Sequence, residues 1–260
     1  MNISSLIDHA GGTGFKILAD GGCAVDVEDS DKPESGEAGG AAQRKYEQLS
    51  SRRENRMDEK YGRLAGVVKF LSQEPQSITA WKTGAEGERI FAQRINDLLG
   101  DRAVLLNDRS IPGSRANIDH LVVAPSGIWV VDAKKYKGVV EKRNRGNVFS
   151  PRHELYVGGR NQMKLVAGLN RQVDVVKEAL NTFEYPVTVS SALCFVETEW
   201  KMFSNPFQLQ DTWIGSPKKL ARLMDVESGL SAEAILEVAN FLAMALPEKP
   251  TGKKIAFINC

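Results

Sequence analysis

Asp132 and Lys134 stand two positions apart in the run Val130, Val131, Asp132, Ala133, Lys134, Lys135. The residues leading into the pair are β-branched and aromatic, which predicts a strand. Strand side chains alternate between faces, so the carboxylate and the ammonium share one face, about 6.5–7 Å apart along the chain. Ile128 and Val130 precede them on that face, as happens where a buried strand surfaces at a site. Chemically the pair suits hydrolysis of a phosphodiester. A carboxylate binds Mg²⁺, which takes oxygen ligands. The ion helps to make the attacking hydroxide and neutralises phosphoryl charge. The lysine orients the water or stabilises the developing negative charge. A salt-bridged strand end has the same two residues, so the reading depends on what else converges there.

Three more residues are placed to converge. Asp119 lies near the start of the preceding predicted strand, 118–124, and a hairpin through Pro125, Ser126 and Gly127 pairs that strand antiparallel with 128–135. Counting outward from the turn puts Asp119 near the level of Lys134, to within a residue or two of register. A turn or strand-edge aspartate is the plain alternative. His120 faces the other way, as a structural residue or a phosphate contact. Glu88 falls on the apolar stripe of a predicted helix at 83–99, with Phe91, Ile95 and Leu98 or Leu99, whereas Glu86 lines up with Gln93 and Asp97 in solvent. A carboxylate on a core-facing stripe is costly unless paired or bound to metal, although a first-turn glutamate also complements the helix dipole. Gly84 and Gly87 allow this end of the helix a close backbone approach. Gln172 shares a helix face with Leu165, Leu169 and Val176. It can reach a water or a carboxylate, or be a boundary residue.

A basic run follows the pair: Lys134, Lys135, Lys137, Lys142, Arg143 and Arg145, opposed only by Glu141. Such a run is either a solvated loop or a patch that tracks phosphates. Arg115, with Arg109 and Lys82, adds charge, and Tyr136 can stack on a base or pack.

These side chains need a scaffold, and the chain has the material for one. Of 260 residues, 42% are hydrophobic and 26% charged, enough to bury a core without covalent staples. The net charge of +1 makes no global case for a polyanion partner. Cys23, Cys194 and Cys260 form no C-x-x-C pair, against a zinc ribbon or disulfide framework and in keeping with a reducing cytosol. No secretory signal is read at the N-terminus. The longest apolar stretch, 238–246, is interrupted by Asn240 and far short of the ~20 residues that span a bilayer. A cytoplasmic protein without membrane contact is expected.

Residues 1–42 are expected to be disordered: 21–42 are rich in Gly, Ala, Asp, Glu and Ser with hardly a large apolar residue, and 6–18 offer at most a short packing segment. Residues 43–73 read as one helix docked by an incomplete stripe, with its basic residues interleaved with acids. Pro75 opens an apparent linker, so 43–80 forms a helical extension and 81–246 the domain, followed by a flexible tail, 247–260. Inside the domain the pattern predicts a helix at 83–99 and strands at 103–111, 118–124 and 128–135. Short strands at 139–143 and 154–157 precede a helix at 160–180 and a strand at 187–196. A short strand at 212–215 and helices at 217–224 and 232–246 complete the domain. The order αβββαβ followed by helices predicts a mixed α/β layer fold.

Taken in order, GAEGE at 84–88, LNDRSIPGSRANIDH at 106–120, SGIWVVDAK at 126–134 and YKG at 136–138 resemble the nuclease-related domain, NERD, of the PD-(D/E)XK restriction-endonuclease-like superfamily. LYVGGR at 155–160 and the helix with Arg171, Gln172 and Val173 extend the resemblance, which covers about 81–225 and leaves the first 80 residues out. It implies a three-layer restriction-endonuclease-like core with a mixed sheet and a role in DNA processing. It matches Glu88, Asp119, Asp132 and Lys134 to the helix glutamate, the first strand aspartate and the D/E-x-K pair, and Gln172 to the family's helix glutamine. The expected activity is Mg²⁺- or Mn²⁺-dependent hydrolysis of DNA, with RNA left open. Glu88, Asp119 and Asp132 hold the metal, Lys134 positions the water and Gln172 supports it. Arg115, Lys135, Lys137, Lys142, Arg143 and Arg145 are the expected nucleic-acid contacts. A homodimer is allowed by the resemblance. The rival expectation is a non-catalytic module on the same fold that binds nucleic acid or a partner.

Overall fold

Long apolar runs broken by tight turns set the centre of the molecule. The computed structural model describes residues 32–72, 74–200, 205–227 and 229–249. The N-terminal elements are α1 (Gly40–Tyr61), α2 (Ala65–Leu71) and α3 (Gln76–Leu99), followed by β1 (Val104–Ser110), β2 (Asn117–Ala124) and β3 (Gly127–Lys134). Then come β4 (Val139–Asn144), β5 (His153–Val157), β6 (Arg160–Asn161), α4 (Met163–Ala179), β7 (Val189–Phe195) and β8 (Glu199–Trp200). The chain continues through β9 (Phe207–Leu209), β10 (Thr212–Gly215), α5 (Pro217–Met224) and α6 (Ala232–Ala245).

Six strands form one mixed sheet in the order β1-β2-β3-β7-β10-β9. β3 runs parallel to β7, and β7 to β10; the other pairs are antiparallel. Both faces are covered. Ile128 and Val130 pack into a core with α4 and α6 residues such as Val166, Leu169, Val238 and Leu242. Trp129, Val131 and Ala133 face Phe91 and Ile95 of α3 and Leu220 and Met224 of α5. Burial on both sides explains why β3 lacks a polar face until Asp132. The result is a three-layer α/β/α domain built on the expected αβββαβ order. A smaller sheet, β6-β5-β4-β8, branches off after β3. Its strands β4 and β5 match short strands of the sequence reading, while β8 and β9 were not anticipated. Among the described residues no helix is long and apolar enough to cross a membrane.

The N-terminal region departs from expectation in three ways. The helix read through 43–73 breaks at Gly62, whose φ of 50° lies in the left-handed region that terminates a helix. The apparent linker at Pro75 is the start of α3: Pro75 caps it, and Ile78 is buried. Residues 32–42 of the segment expected to lack order are placed, while 1–31 lie outside the described residues. Ser35 and Gly36 carbonyls accept from the Asn107 backbone (2.6 Å) and side chain (3.2 Å). Gly39, at φ 76°, sits so close to α3 that an added Cβ would lie 2.6 Å from the Ala85 carbonyl oxygen. From the expected tail, Pro247 and Lys249 bond β1 at Ser110 and Asp108, both at 2.9 Å. These segments cover an otherwise open sheet edge. Residues 250–260, with Cys260, and Cys23 fall outside the described residues; Cys194 is a buried free thiol.

Candidate active site

Two hairpin strands and one helix bring the carboxylates together. The turn between β2 and β3 has only Pro125 and Ser126 outside the ladder, since Ala124 pairs with Gly127. Gly127 takes φ 115°, and an added Cβ would meet the Thr188 carbonyl oxygen at 2.5 Å. The register runs to His120 opposite Val131. One step further puts Asp119 opposite Asp132, not at the level of Lys134 as counted from the sequence. Lys134 lies two residues on and its ammonium donates to Asp132 Oδ1. Glu88 arrives from α3. That helix comes so near the end of β3 that a Cβ on Gly87 would meet Lys135 Cβ at 3.1 Å and its amide nitrogen at 3.2 Å. Gly84, by contrast, faces open space.

Burial and mutual repulsion dominate the electrostatics. Glu88 is 8% exposed. Desolvation first, and then the charge of Asp119, raise its carboxyl from the ordinary 4.5 to about 8. Desolvation and Asp132 raise Asp119 to about 7. Burial alone would lower Lys134, but Asp132, Asp119 and Glu88 together hold its ammonium above the ordinary value. The lysine thus stays protonated among carboxylates.

A fourth acid, the buried Asp108, joins this group from β1 at φ 52°. Arg44 Nη2 of α1 donates to its Oδ2 at 2.7 Å, and Asn117 Nδ2 to its Oδ1 at 2.7 Å. The same Asn117 amide lies 3.1 Å from Asp119 Oδ1. Burial raises the Asp108 carboxyl despite Arg44. A chain of contacts therefore runs from the N-terminal extension through Arg44, Asp108 and Asn117 to Asp119. Sequence reasoning missed Asp108, Arg44 and Asn117. Asn117 precedes Asp119 by two on one strand face, a signal that was present; Arg44 has no local signal.

The group opens into a cleft of about 1010 Å³. Glu88, Asp119 and Lys134 line it, as do Ala41, Lys45, Trp81, Arg115 and Lys249. α1 and the first turns of α3 thus form part of its wall. The donor set is all oxygen and strongly acidic, which fits a hard divalent cation such as Mg²⁺ or Mn²⁺. The fit rests on donor type and charge: among the described residues no three acidic, His or Cys side chains are already drawn into a closed set. The Lys134 ammonium occupies Asp132 instead.

The remaining expected residues divide. Gln172 does not line the cleft, and its buried Oε1 has no hydrogen-bond partner among the described residues. Nothing here joins it to the carboxylates. Lys135 is held between Glu86 at 2.8 Å and Glu197 at 3.0 Å, which cancels much of its appeal to phosphate. Arg143 pairs with Glu141 and lies over the Tyr156 ring at 4.4 Å. Lys142 lies 5.8 Å from the Phe207 ring. Arg115, Lys137 and Arg145 are exposed. Arg109 is buried and bonds the Glu34 carbonyl. Tyr136 packs near Phe195 on the cleft wall. His120 is fully buried, stacks on Phe91 and bonds Asn107 Oδ1 at 2.8 Å. Burial lowers it to about 3, so it is a neutral structural residue.

A three-layer αβββαβ domain with acids on two paired strands, a lysine two beyond the second and a glutamate from the preceding helix is consistent with the nuclease-like arrangement that the sequence resemblance implies. Residues 83–196 match the family model described as the nuclease-related domain, NERD. No curated protein and no solved structure matches the chain.

Proposed function

We propose that the domain is a metal-dependent nuclease that hydrolyses DNA phosphodiester bonds. The observation that carries this reading is the meeting of Asp119, Asp132 and Glu88, from three elements, around a Lys134 that their charges keep protonated. Glu88, Asp119 and Asp132 would hold Mg²⁺ or Mn²⁺, which supplies Lewis-acid charge to a phosphoryl group. The chain's own part is positional and electrostatic. Asp119 lines the cleft, with Asn117 fixing its carboxylate, and Asp132 lies opposite it on the neighbouring strand. With Asp132 given over to the ion, the Lys134 ammonium that it now accepts from would be free to donate to the attacking water or a phosphoryl oxygen. Arg115, Lys45 and Lys249 on the cleft wall offer positive charge to the flanking phosphates.

Metal binding separates this from a fold that only binds. A ligand at 100 times its Kd stabilises a folded protein by about 2.7 kcal/mol. Thermal unfolding in rising Mn²⁺ is expected to show such a gain for the parent and none for Asp132→Ala. No gain in the parent, with no calorimetric binding, would remove the metal from the account.

A further inference from the structure

The loop between β4 and β5 has no part in the cleft, yet it is built with care. The strands pair up to Asn144 opposite His153. Beyond them the Arg145 amide bonds the Arg152 carbonyl at 2.7 Å. The Asn144 side-chain oxygen accepts from the amides of Gly146 (2.9 Å) and Arg152 (3.0 Å). The Asn147 oxygen accepts from Phe149 (3.0 Å) and Ser150 (2.7 Å). The crest so held presents Val148 at 91% exposure and Phe149 at 97%. A large aromatic this exposed on a hydrogen-bonded loop is unlike the scattered partial exposure of ordinary surfaces. Its stem is cationic: Lys142, Arg143, Arg145 and Arg152 lie within 142–152, and no acid does. Two of the four have carboxylate partners, Arg143 with Glu141 and Arg152 with Glu154 at 3.2 Å. Lys142, over the Phe207 ring at 5.8 Å, and Arg145 are exposed and form no ion pair with a carboxylate among the described residues. β4 itself spans about 17 Å, the length of about five base-pair rises, so the crest stands away from the carboxylates.

Apolar side chains on a basic stem match two features of nucleic acid together, stackable bases and spaced phosphates. We propose that this hairpin is a second nucleic-acid contact, in which Phe149 stacks on or wedges between bases while Lys142, Arg145 and Arg152 meet phosphates. The proposal rests on the reading that the domain acts on nucleic acid, and it adds a contact outside the cleft.

The test is fluorescence anisotropy with labelled 20-nucleotide single-stranded and duplex DNA, in EDTA and again in Ca²⁺, so that binding is read without cleavage. The variants are Phe149→Ala, Phe149→Trp and a triple Lys142→Gln, Arg145→Gln, Arg152→Gln protein, all at exposed positions of the hairpin. Phe149→Ala is expected to bind about 5- to 150-fold more weakly, the loss of one base stack, and Phe149→Trp to bind like the parent. The triple variant is expected to flatten the salt dependence of binding by up to about three in slope. A 2-aminopurine base in the bound DNA should change emission with the parent and not with Phe149→Ala. Equal affinity of parent and Phe149→Ala overturns the hairpin contact, even if the parent cleaves DNA with metal. A loss in Phe149→Ala upholds it, even if no metal produces cleavage. No DNA binding by the parent, or binding of anionic vesicles instead that Phe149→Ala loses, overturns it as well.

Discussion

Replacing Glu88 by Gln should make the metal-free protein more stable, although it removes a central residue of the site. The carboxyl is 8% exposed and is raised from 4.5 to about 8, by burial first and by Asp119 second. A folded state that holds a proton the unfolded chain releases loses stability as pH rises. The contribution is fully present below pH 4.5 and is lost progressively toward pH 8. At pH 7, 2.5 units above the ordinary value of 4.5, holding that proton costs about 3 kcal/mol at 1.36 kcal/mol per unit. Gln keeps the shape and carries no charge, so Glu88→Gln should recover about 3 kcal/mol at pH 7 and almost nothing at pH 4. In a domain of this size that is a rise in Tm of about 6–12 °C. Calorimetric unfolding in EDTA at pH 4, 5.5 and 7 measures it. The same variant should gain less than the parent from Mn²⁺. A Glu88→Gln protein that is no more stable at pH 7, or whose advantage does not grow from pH 4, would refute the reasoning.

Three further outcomes follow from the same contacts. Arg44→Ala leaves buried Asp108 without its ion-pair partner, with Asn117, the Ala41 backbone and the more distant Lys249 charge to meet it. The cost should be about 2 kcal/mol, below the 3–5 kcal/mol of a broken fully buried pair because Arg44 is 29% exposed. The loss should be greater at pH 8 than at pH 5 in urea titrations, since a further raised Asp108 loses stability as pH rises. A chain beginning at residue 81 should unfold at lower temperature than one beginning at 32 and bind DNA more weakly, because the cut splits α3 and removes part of the cleft wall. Lys134→Met should abolish cleavage and steepen the fall of stability with pH, as it removes the cation that Asp132, Asp119 and Glu88 share; parallel pH–unfolding and cleavage series check both.

Much of this architecture was legible because it is local. Alternation and apolar runs marked β1, β2, β3 and β7, and Glu88 stood out as a charge on an apolar stripe. Asp119 was assigned to the right face and to within two residues of its level, opposite Asp132 and not Lys134; Gly127 belongs to the ladder and not to the turn. The break at Gly62 and the start of α3 at Pro75 were read the other way round. A left-handed glycine ended a helix there, while a proline served as a cap. What sequence could not show was long-range compensation. Lys135 looks like part of a basic run until Glu86 and Glu197 close on it. Asp108 looks like an ordinary polar residue of a predicted strand until Arg44 and Asn117 meet it. The composition of residues 32–42 argues against order, yet backbone bonds to β1 and the close approach of Gly39 to Ala85 hold them.

The most direct test of the central claim is cleavage of end-labelled single- and double-stranded DNA in Mg²⁺, Mn²⁺ or EDTA, by the parent and by Asp132→Ala. The account predicts cutting by the parent with a divalent ion, none in EDTA, and none by the variant. A pure parent protein that binds DNA but leaves it intact with either metal would contradict it and make the fold a binding module.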